Sequence, residues 1–144
     1  MIAYIDSSIV LRAVLGHANR LPEWEKGAIT RGVTSALLEV ECLRTLDRLR
    51  LSPARLDPGE FAVRRASIFR IMEALEVVDV SAAVLRQAAQ PMPTPLGTLD
   101  AIHLATAQLW RDLRNERPVM ATHDRALALA AQADGFTVIG VQPS

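Results

Sequence analysis

Ile2-Ala3-Tyr4-Ile5, followed directly by Asp6, is the stretch that decides the fold. A short apolar run without polar alternation is typical of a β-strand covered on both faces, as in a parallel sheet. The next segment, residues 7–15, has a helical pattern that stops at Gly16. The start of the chain therefore predicts a buried strand that leads directly into a helix.

The same alternation of short apolar runs and longer helical patterns continues along the whole chain. Further strands are predicted at residues 32–34, 77–80, 119–122 and 137–141. Helices are predicted at residues 22–29, 35–51, 58–75, 81–90, 98–113 and 124–133. Strands separated by helices predict an α/β fold with three layers, α/β/α, around a central, mostly parallel sheet of four or five strands.

Some side chains have a predicted place in these elements. Ser81 and Thr98 are expected to be helix N-caps, because serine and threonine are favoured there. Cys42 lies beside Leu38 and Leu46 in a helical pattern and is expected to be a small core residue. The apolar side of helix 58–75 is expected to carry five residues: Ala62, Ala66, Phe69, Ile71 and Leu75.

The composition predicts one soluble domain spanning residues 1–144. Half of the 144 residues are hydrophobic, and a chain of this size can bury roughly 70% of its unfolded surface without a disulfide or metal. With 16 basic and 16 acidic residues, bulk positive charge is excluded as the means of binding nucleic acid. Neither a signal peptide nor a span of ~20 apolar residues is present, so we expect a cytoplasmic protein without membrane contact.

Four carboxylates fall where a parallel sheet places functional groups. Asp6 ends the first predicted strand, and Asp124 follows the fourth. Asp100 lies in the first turn of helix 98–113, and Glu41 lies about two turns into helix 35–51. Because ligands of open α/β sheets bind at the carboxyl ends of the strands, these four side chains are the candidate catalytic and metal-binding residues.

Each of these carboxylates also has a structural interpretation. Asp6 and Asp124 precede helices, where an aspartate N-cap contributes ~1 kcal/mol, and Asp100 would interact favourably with a helix dipole. Glu41 lies in a largely apolar sector and needs a partner, either Arg44 one turn on or a cation. His103 is placed either to orient Asp100 by a hydrogen bond or to pack in the core.

Convergence of the four carboxylates would define the chemistry. Clustered carboxylates repel one another unless cations are bound, and oxygen ligands favour Mg²⁺ or Mn²⁺ over zinc. Such ions hold phosphate and generate hydroxide from water. Ser7 and Thr122 would position the water or a ligand, or else serve turn chemistry. Phosphate-binding loops, dinucleotide fingerprints, serine-hydrolase motifs and cysteine–histidine zinc spacings are absent from the sequence.

Four segments, in order and spacing, resemble the motifs of PIN domains, and specifically of the toxins of VapBC-type toxin–antitoxin pairs. The segments are Ile2-Ala3-Tyr4-Ile5-Asp6-Ser7-Ser8, Thr34-Ser35-Ala36-Leu37-Leu38-Glu39-Val40-Glu41-Cys42-Leu43-Arg44, Gly97-Thr98-Leu99-Asp100-Ala101-Ile102-His103-Leu104-Ala105-Thr106-Ala107 and Ala121-Thr122-His123-Asp124-Arg125-Ala126-Leu127. Two features depart from the family pattern: His123 stands where an aromatic or small residue is usual, and the prolines of residues 91–95 stiffen the loop before Asp100.

The resemblance implies a single PIN domain with a PIN-like fold that hydrolyses RNA with Mg²⁺ or Mn²⁺. It also implies a homodimer neutralised by a cognate antitoxin. Asp6 and Asp100 would be the main metal ligands, Glu41 and Asp124 would complete the shell or hold a second ion, and Arg44 would bind phosphate or balance Glu41. The alternatives are a non-catalytic PIN-like module that binds RNA or a protein, and a phosphatase or receiver-like domain. A receiver-like domain would need a lysine near the end of the chain, but the only lysine of this sequence is Lys26.

Overall fold

A parallel sheet lies at the centre of the protein, which we describe from a computed structural model covering residues 1–16, 20–53 and 56–142. The strands found in these residues are β1 (Ile2–Ile5), β2 (Arg31–Ser35), β3 (Glu76–Val78), β4 (Val119–Ala121) and β5 (Val138–Ile139). The helices are α1 (Ser7–Leu15), α2 (Pro22–Glu25), α3 (Leu37–Leu51), α4 (Pro58–Glu73), α5 (Ala82–Ala88), α6 (Thr98–Arg114) and α7 (Arg125–Ala133). The predicted α/β fold is confirmed.

The first strand is the middle strand of the sheet, whose order is β3-β2-β1-β4-β5. Tyr4 lies opposite Val33 of β2 on one side and Met120 of β4 on the other, and all the pairings are parallel. The side chains of Ala3, Tyr4 and Ile5 are fully buried. This explains why the run lacks polar alternation, since both faces of the strand are covered.

Helices cover both faces of the sheet and complete the three predicted layers. Successive strand residues point to opposite faces, so Ala3 and Ile5 pack in one core with side chains of α1, α3 and α4. Tyr4 packs in the other core with side chains of α6 and α7. The central strand therefore contacts both helical layers, and Tyr4 points toward α6.

Helix ends and helix faces depart from the predictions in several places. Helix α2 ends at Glu25 rather than at residue 29, because Gly27 takes a left-handed φ of 71°. Strand β5 spans two residues, since Gly140 follows it with φ 104°. Thr98 is the first residue of α6 and not its cap, a position that Gly97 occupies. The Ser81 cap is confirmed, because its side chain accepts a hydrogen bond from the backbone N–H of Val84.

The buried side of α4 is only partly the predicted one. Ile68 is its fully buried residue, and Phe61, Ile71, Met72 and Leu75 pack against the same core. The expected positions of Ala62, Ala66 and Phe69 were wrong, because these side chains lie on the exposed side of the helix. The Phe69 ring is instead covered by the guanidinium of Arg65, whose Cζ lies 5.3 Å from the ring centroid.

Two further expectations concern the core and the membrane. Cys42 is fully buried, as predicted, and packs in the same core as Leu38 and Leu46. None of the described helices is both long and apolar enough to span a lipid bilayer.

Candidate active site

Asp6 lies at the carboxyl end of the central strand and is held by hydroxyl groups. It occupies the N-cap position of α1, but its side chain makes no capping hydrogen bond. Its Oδ2 atom instead accepts hydrogen bonds from Ser8 Oγ at 2.7 Å and Thr122 Oγ1 at 2.8 Å. Ser7, which was predicted to position the water or a ligand, has its Oγ 3.5 Å from Oδ1 of Asp6. The buried carboxylate is thus oriented by its surroundings and is not used as a helix cap.

Thr122 and Ser8 connect the ends of β1 and β4. The fully buried Thr122 Oγ1 also accepts the backbone N–H of Asp124 at 2.9 Å. Ser8 Oγ accepts the backbone N–H of His123 at 2.9 Å. These bonds fix the chain that leads into α7, and therefore fix where Asp124 begins that helix.

Asp124 keeps its structural role in this arrangement. It is the N-cap of α7, and its Oδ1 accepts the backbone N–H of Leu127 at 2.9 Å. The ring of the neighbouring His123 turns toward β5, where Nδ1 lies 2.6 Å from the carbonyl oxygen of Gly140. Burial lowers the pKa of His123 below its ordinary value, so the imidazole is neutral at pH 7 and Nδ1 donates to that carbonyl.

Glu41 finds a partner that its sequence neighbourhood does not reveal. Its Oε1 lies 2.5 Å from Nε2 of His103, which is fully buried on α6. The same Nε2 lies 3.8 Å from Oδ1 of Asp6. Arg44 does not balance Glu41, because it pairs with Asp47 at 3.0 Å on the exposed side of α3. His103 therefore lies between two of the four predicted carboxylates.

Asp100 is the carboxylate most affected by the others. Burial raises its pKa to about 6, and the negative charges of Asp124, Asp6 and Glu41 raise it as well. His103 opposes this rise only through its charge, and its Nε2 hydrogen bond goes to Glu41. The expected hydrogen bond from His103 to Asp100 is therefore not formed. The charges of the other three carboxylates therefore reach Asp100.

The four carboxylates are ligands of the type that a hard divalent cation prefers, although their oxygen atoms do not surround a common point. Carboxylate oxygens are the ligands that Mg²⁺ and Mn²⁺ prefer. A cation would offset the negative charges of Asp124, Asp6 and Glu41, which add to the effect of burial on the pKa of Asp100. Within residues 1–16, 20–53 and 56–142, no three acidic, histidine or cysteine side chains are arranged as a metal-holding group. Hydrogen bonds to Ser8, Thr122 and His103 hold two of the carboxylates in their present positions.

Sequence reasoning missed Ser8 and Tyr4. Ser8 lies one helical position beyond the more conspicuous Ser7, and its role depends on the approach of β4. The Tyr4 hydroxyl forms a 2.7 Å hydrogen bond with Nδ1 of His103. The sequence did offer a signal, because Tyr4 carries the one polar side-chain group of β1. A buried tyrosine hydroxyl needs a hydrogen-bond partner.

Comparisons with known proteins agree on one family. The PIN domain model matches residues 3–138. Ribonuclease VapC46 of Mycobacterium tuberculosis (strain ATCC 25618 / H37Rv) is 35% identical, and the alignment covers 94% of this chain and 95% of that protein. Ribonuclease VapC35 of the same species is 31% identical, with 94% of each chain covered. A toxin–antitoxin complex from Klebsiella pneumoniae has the same fold, with a TM-score of 0.64 at 16% identity, covering 98% of this chain and 96% of that one.

Proposed function

Since this chain belongs to the PIN domain family, we propose that it is an endoribonuclease that hydrolyses RNA phosphodiester bonds with Mg²⁺ or Mn²⁺. The observation that supports the proposal is that Asp124, Asp6 and Glu41 lie near enough to Asp100 for their negative charges to raise its pKa, in addition to the larger effect of burial. A bound cation would offset this concentration of negative charge.

The roles of the residues follow from their surroundings. Asp6 and Asp100 would hold the ion, and Glu41 and Asp124 would complete its ligands or hold a second one. When bound, Mg²⁺ or Mn²⁺ supplies Lewis-acid activation of a water molecule and neutralises charge on the phosphate. Ser8 and Thr122 engage Oδ2 of Asp6, whereas Oδ1 lies 3.5 Å from Ser7 Oγ and 3.8 Å from Nε2 of His103, so we assign Oδ1 as the ligand atom.

Two arginine side chains line a cavity next to His123, the residue before Asp124, and support an RNA substrate. A cavity of about 690 Å³ adjoins His123 and is lined by Arg12 and Arg20, with Glu23 as an opposing charge. Arginine binds phosphate with planar, bidentate geometry. We propose that the RNA backbone passes this cavity on its way to the site. Arg20 pairs with Glu25 at 3.5 Å and Arg44 pairs with Asp47 at 3.0 Å, so phosphate binding by either arginine would compete with an acidic partner.

We further propose that the protein is the toxin of a type II toxin–antitoxin pair, forms a homodimer and acts in the cytoplasm. The support is similarity: the relatives above carry the name VapC ribonuclease, and a protein of the same fold was solved in a toxin–antitoxin complex. Co-expression with a cognate antitoxin should yield a complex that no longer cleaves RNA.

RNA cleavage by the purified protein tests the enzymatic proposal. We expect cleavage with Mn²⁺ or Mg²⁺, loss with a chelator, and a decrease of at least about 100-fold in Asp6→Asn. Asp112→Asn is the matched control, because Asp112 lies exposed at the far end of α6. Cleavage that persists in a chelator, or in Asp6→Asn with normal far-UV circular dichroism, would contradict the proposal.

A non-catalytic PIN-like module is the second candidate. It is favoured by one observation: in the described part of the chain the carboxylates are not arranged as a complete ligand set. Such a module would bind RNA or a protein without needing a cation. Titration calorimetry with Mn²⁺ separates the two, since the absence of binding at millimolar metal supports the module.

A further inference from the structure

We propose that Tyr4 and His103 form a buried hydrogen-bonded chain that holds the Glu41 carboxylate in place, so that His103 is a positioning residue for the four-carboxylate site. The proposal rests on the proposed function only where it concerns RNA cleavage. The chain itself, from Tyr4 through His103 to Glu41, is a feature of the folded protein and is tested separately.

The chain joins three elements that are distant in sequence. The Tyr4 hydroxyl on β1 lies 2.7 Å from Nδ1 of His103, 99 positions away on α6. Nε2 of the same ring lies 2.5 Å from Oε1 of Glu41 on α3, 62 positions away. The tyrosine and imidazole rings meet edge to face, with centroids 5.8 Å apart and planes at 72°. Both nitrogens of His103 are therefore engaged, and the ring has no rotational freedom.

The hydrogen inventory gives the chain a direction. A carboxylate only accepts hydrogen bonds, so Nε2 of His103 must donate to Glu41. The Tyr4 hydroxyl lies 2.7 Å from Nδ1 on the other side of the ring, so it holds the imidazole with Nε2 directed at Glu41. This is the arrangement by which outer groups orient the groups that bind metals.

The position of His103 indicates more than core packing. Its side chain is fully buried, whereas the Glu41 side chain is 17% exposed at the edge of the site. Nε2 also lies 3.8 Å from Asp6 Oδ1, so the N–H group sits between two carboxylates that would otherwise repel each other. An apolar residue of equal size would fill the space and leave Glu41 without a buried donor.

Four variants separate positioning from packing. His103→Leu removes both hydrogen bonds, and Tyr4→Phe removes one buried oxygen while keeping the ring. His103→Gln retains an N–H donor near the place of Nε2 and is the conservative rescue. The control is Gln108→Met, because Gln108 is also buried on α6 and bonds Asp134 at 3.0 Å by its side chain, away from the carboxylates.

Two measurements decide the proposal. In metal-free protein, ¹⁵N-edited NMR of the imidazole should show a slowly exchanging Nε2–H whose resonance moves upfield in Glu41→Gln, and an Nδ1 resonance that shifts in Tyr4→Phe. By calorimetry, the Kd for Mn²⁺ should rise about 10- to 100-fold in His103→Leu. We expect a smaller rise in Tyr4→Phe, a value within about threefold of the parent in His103→Gln, and no change in Gln108→Met.

The outcomes are distinguishable. The proposal is overturned if Nε2 of His103 carries no hydrogen, or if its resonance does not change in Glu41→Gln. So does a His103→Leu protein that binds Mn²⁺ like the parent and loses only thermal stability, as Gln108→Met would. If the parent protein cleaves no RNA but the imidazole resonances shift as expected in Glu41→Gln and Tyr4→Phe, the proposed function fails and the positioning chain stands. If His103→Leu does not fold, Tyr4→Phe carries the same test with a single atom removed.

Discussion

Replacement of Asp100 by asparagine should stabilise the metal-free protein at neutral pH. The pKa of Asp100 is raised from 3.8 to about 6, first by burial and then by the charges of Asp124 and Asp6. A carboxyl whose pKa is higher in the folded state stabilises the fold fully below pH 3.8, and this contribution is lost as the pH rises through about 6. Above pH 6 the ionised Asp100 therefore opposes folding, and the neutral isostere Asn does not.

The magnitude follows from the size of the rise. The pKa of Asp100 rises from 3.8 to about 6. At about 1.4 kcal/mol for each pKa unit, ionised Asp100 destabilises the fold by at most about 3 kcal/mol. Asp100 is half-buried, and solvent screening reduces this figure. Its position in the first turn of α6 also favours the negative charge by about 0.3–1 kcal/mol. We therefore expect Asp100→Asn to gain about 1 kcal/mol at pH 7.5, or about 2–4 °C in Tm.

Thermal unfolding in a chelator, followed from pH 3.5 to 8, provides the assay. The difference between Asp100→Asn and the parent should be near zero at pH 3.5, rise between about pH 4 and 6 and remain constant above pH 7. Asp112→Asn, an exposed position on the same helix, is the control and should show no such rise. With Mn²⁺ in excess the order of Tm should invert, because ligand binding stabilises the parent alone. A pH-independent difference, or a loss of stability at pH 7.5, would refute the reasoning.

Three other changes test the structure more simply. Gly140→Ala should lower the free energy of unfolding, measured in urea, by at least about 3 kcal/mol. Its φ is 104°, and a Cβ there would meet the backbone oxygen of Thr122. The control is Gly16→Ala, which has φ 71° but open space around it and should lower the free energy of unfolding by only about 1 kcal/mol. Cys42 should resist alkylation at pH 8 until the protein unfolds, since burial raises the pKa of its thiol to about 12; rapid labelling would show an open core. Leu46→Ala should cost about 2–5 kcal/mol by leaving a cavity in the core, and a loss below 1 kcal/mol would place Leu46 elsewhere.

The sheet was predictable because each strand is a short apolar run with a helical pattern after it. Burial on both faces leaves this pattern little freedom, so the first strand and α1 match the predicted ranges. The ends of α2 and β5 were not predictable from apolar content. Both depend on a glycine that adopts a left-handed conformation, at Gly27 and Gly140, and a glycine in the sequence permits that conformation without requiring it.

The candidate site was predictable as a set of residues but not as a set of contacts. Spacing along a helix ranks partners three or four residues away, so it suggested Arg44 for Glu41 and Asp100 for His103. The sheet instead brings the first part of α6 against α3, and Glu41 bonds His103 across 62 positions. The hydroxyl partners of Asp6 have the same origin, because Thr122 reaches it only through the pairing of β1 with β4.

The central place of the first strand has a consequence for the order in which the chain is made. Asp6 is synthesised before Thr122, the residue whose hydroxyl is bonded to its carboxylate, which follows 116 positions later. Until β4 is synthesised, the middle strand has one open edge and Asp124 does not exist. A partly translated chain therefore carries three of the four acidic groups and no complete site. The four-carboxylate site is therefore complete only after β4 and the start of α7 have been synthesised, and every shorter nascent chain lacks it.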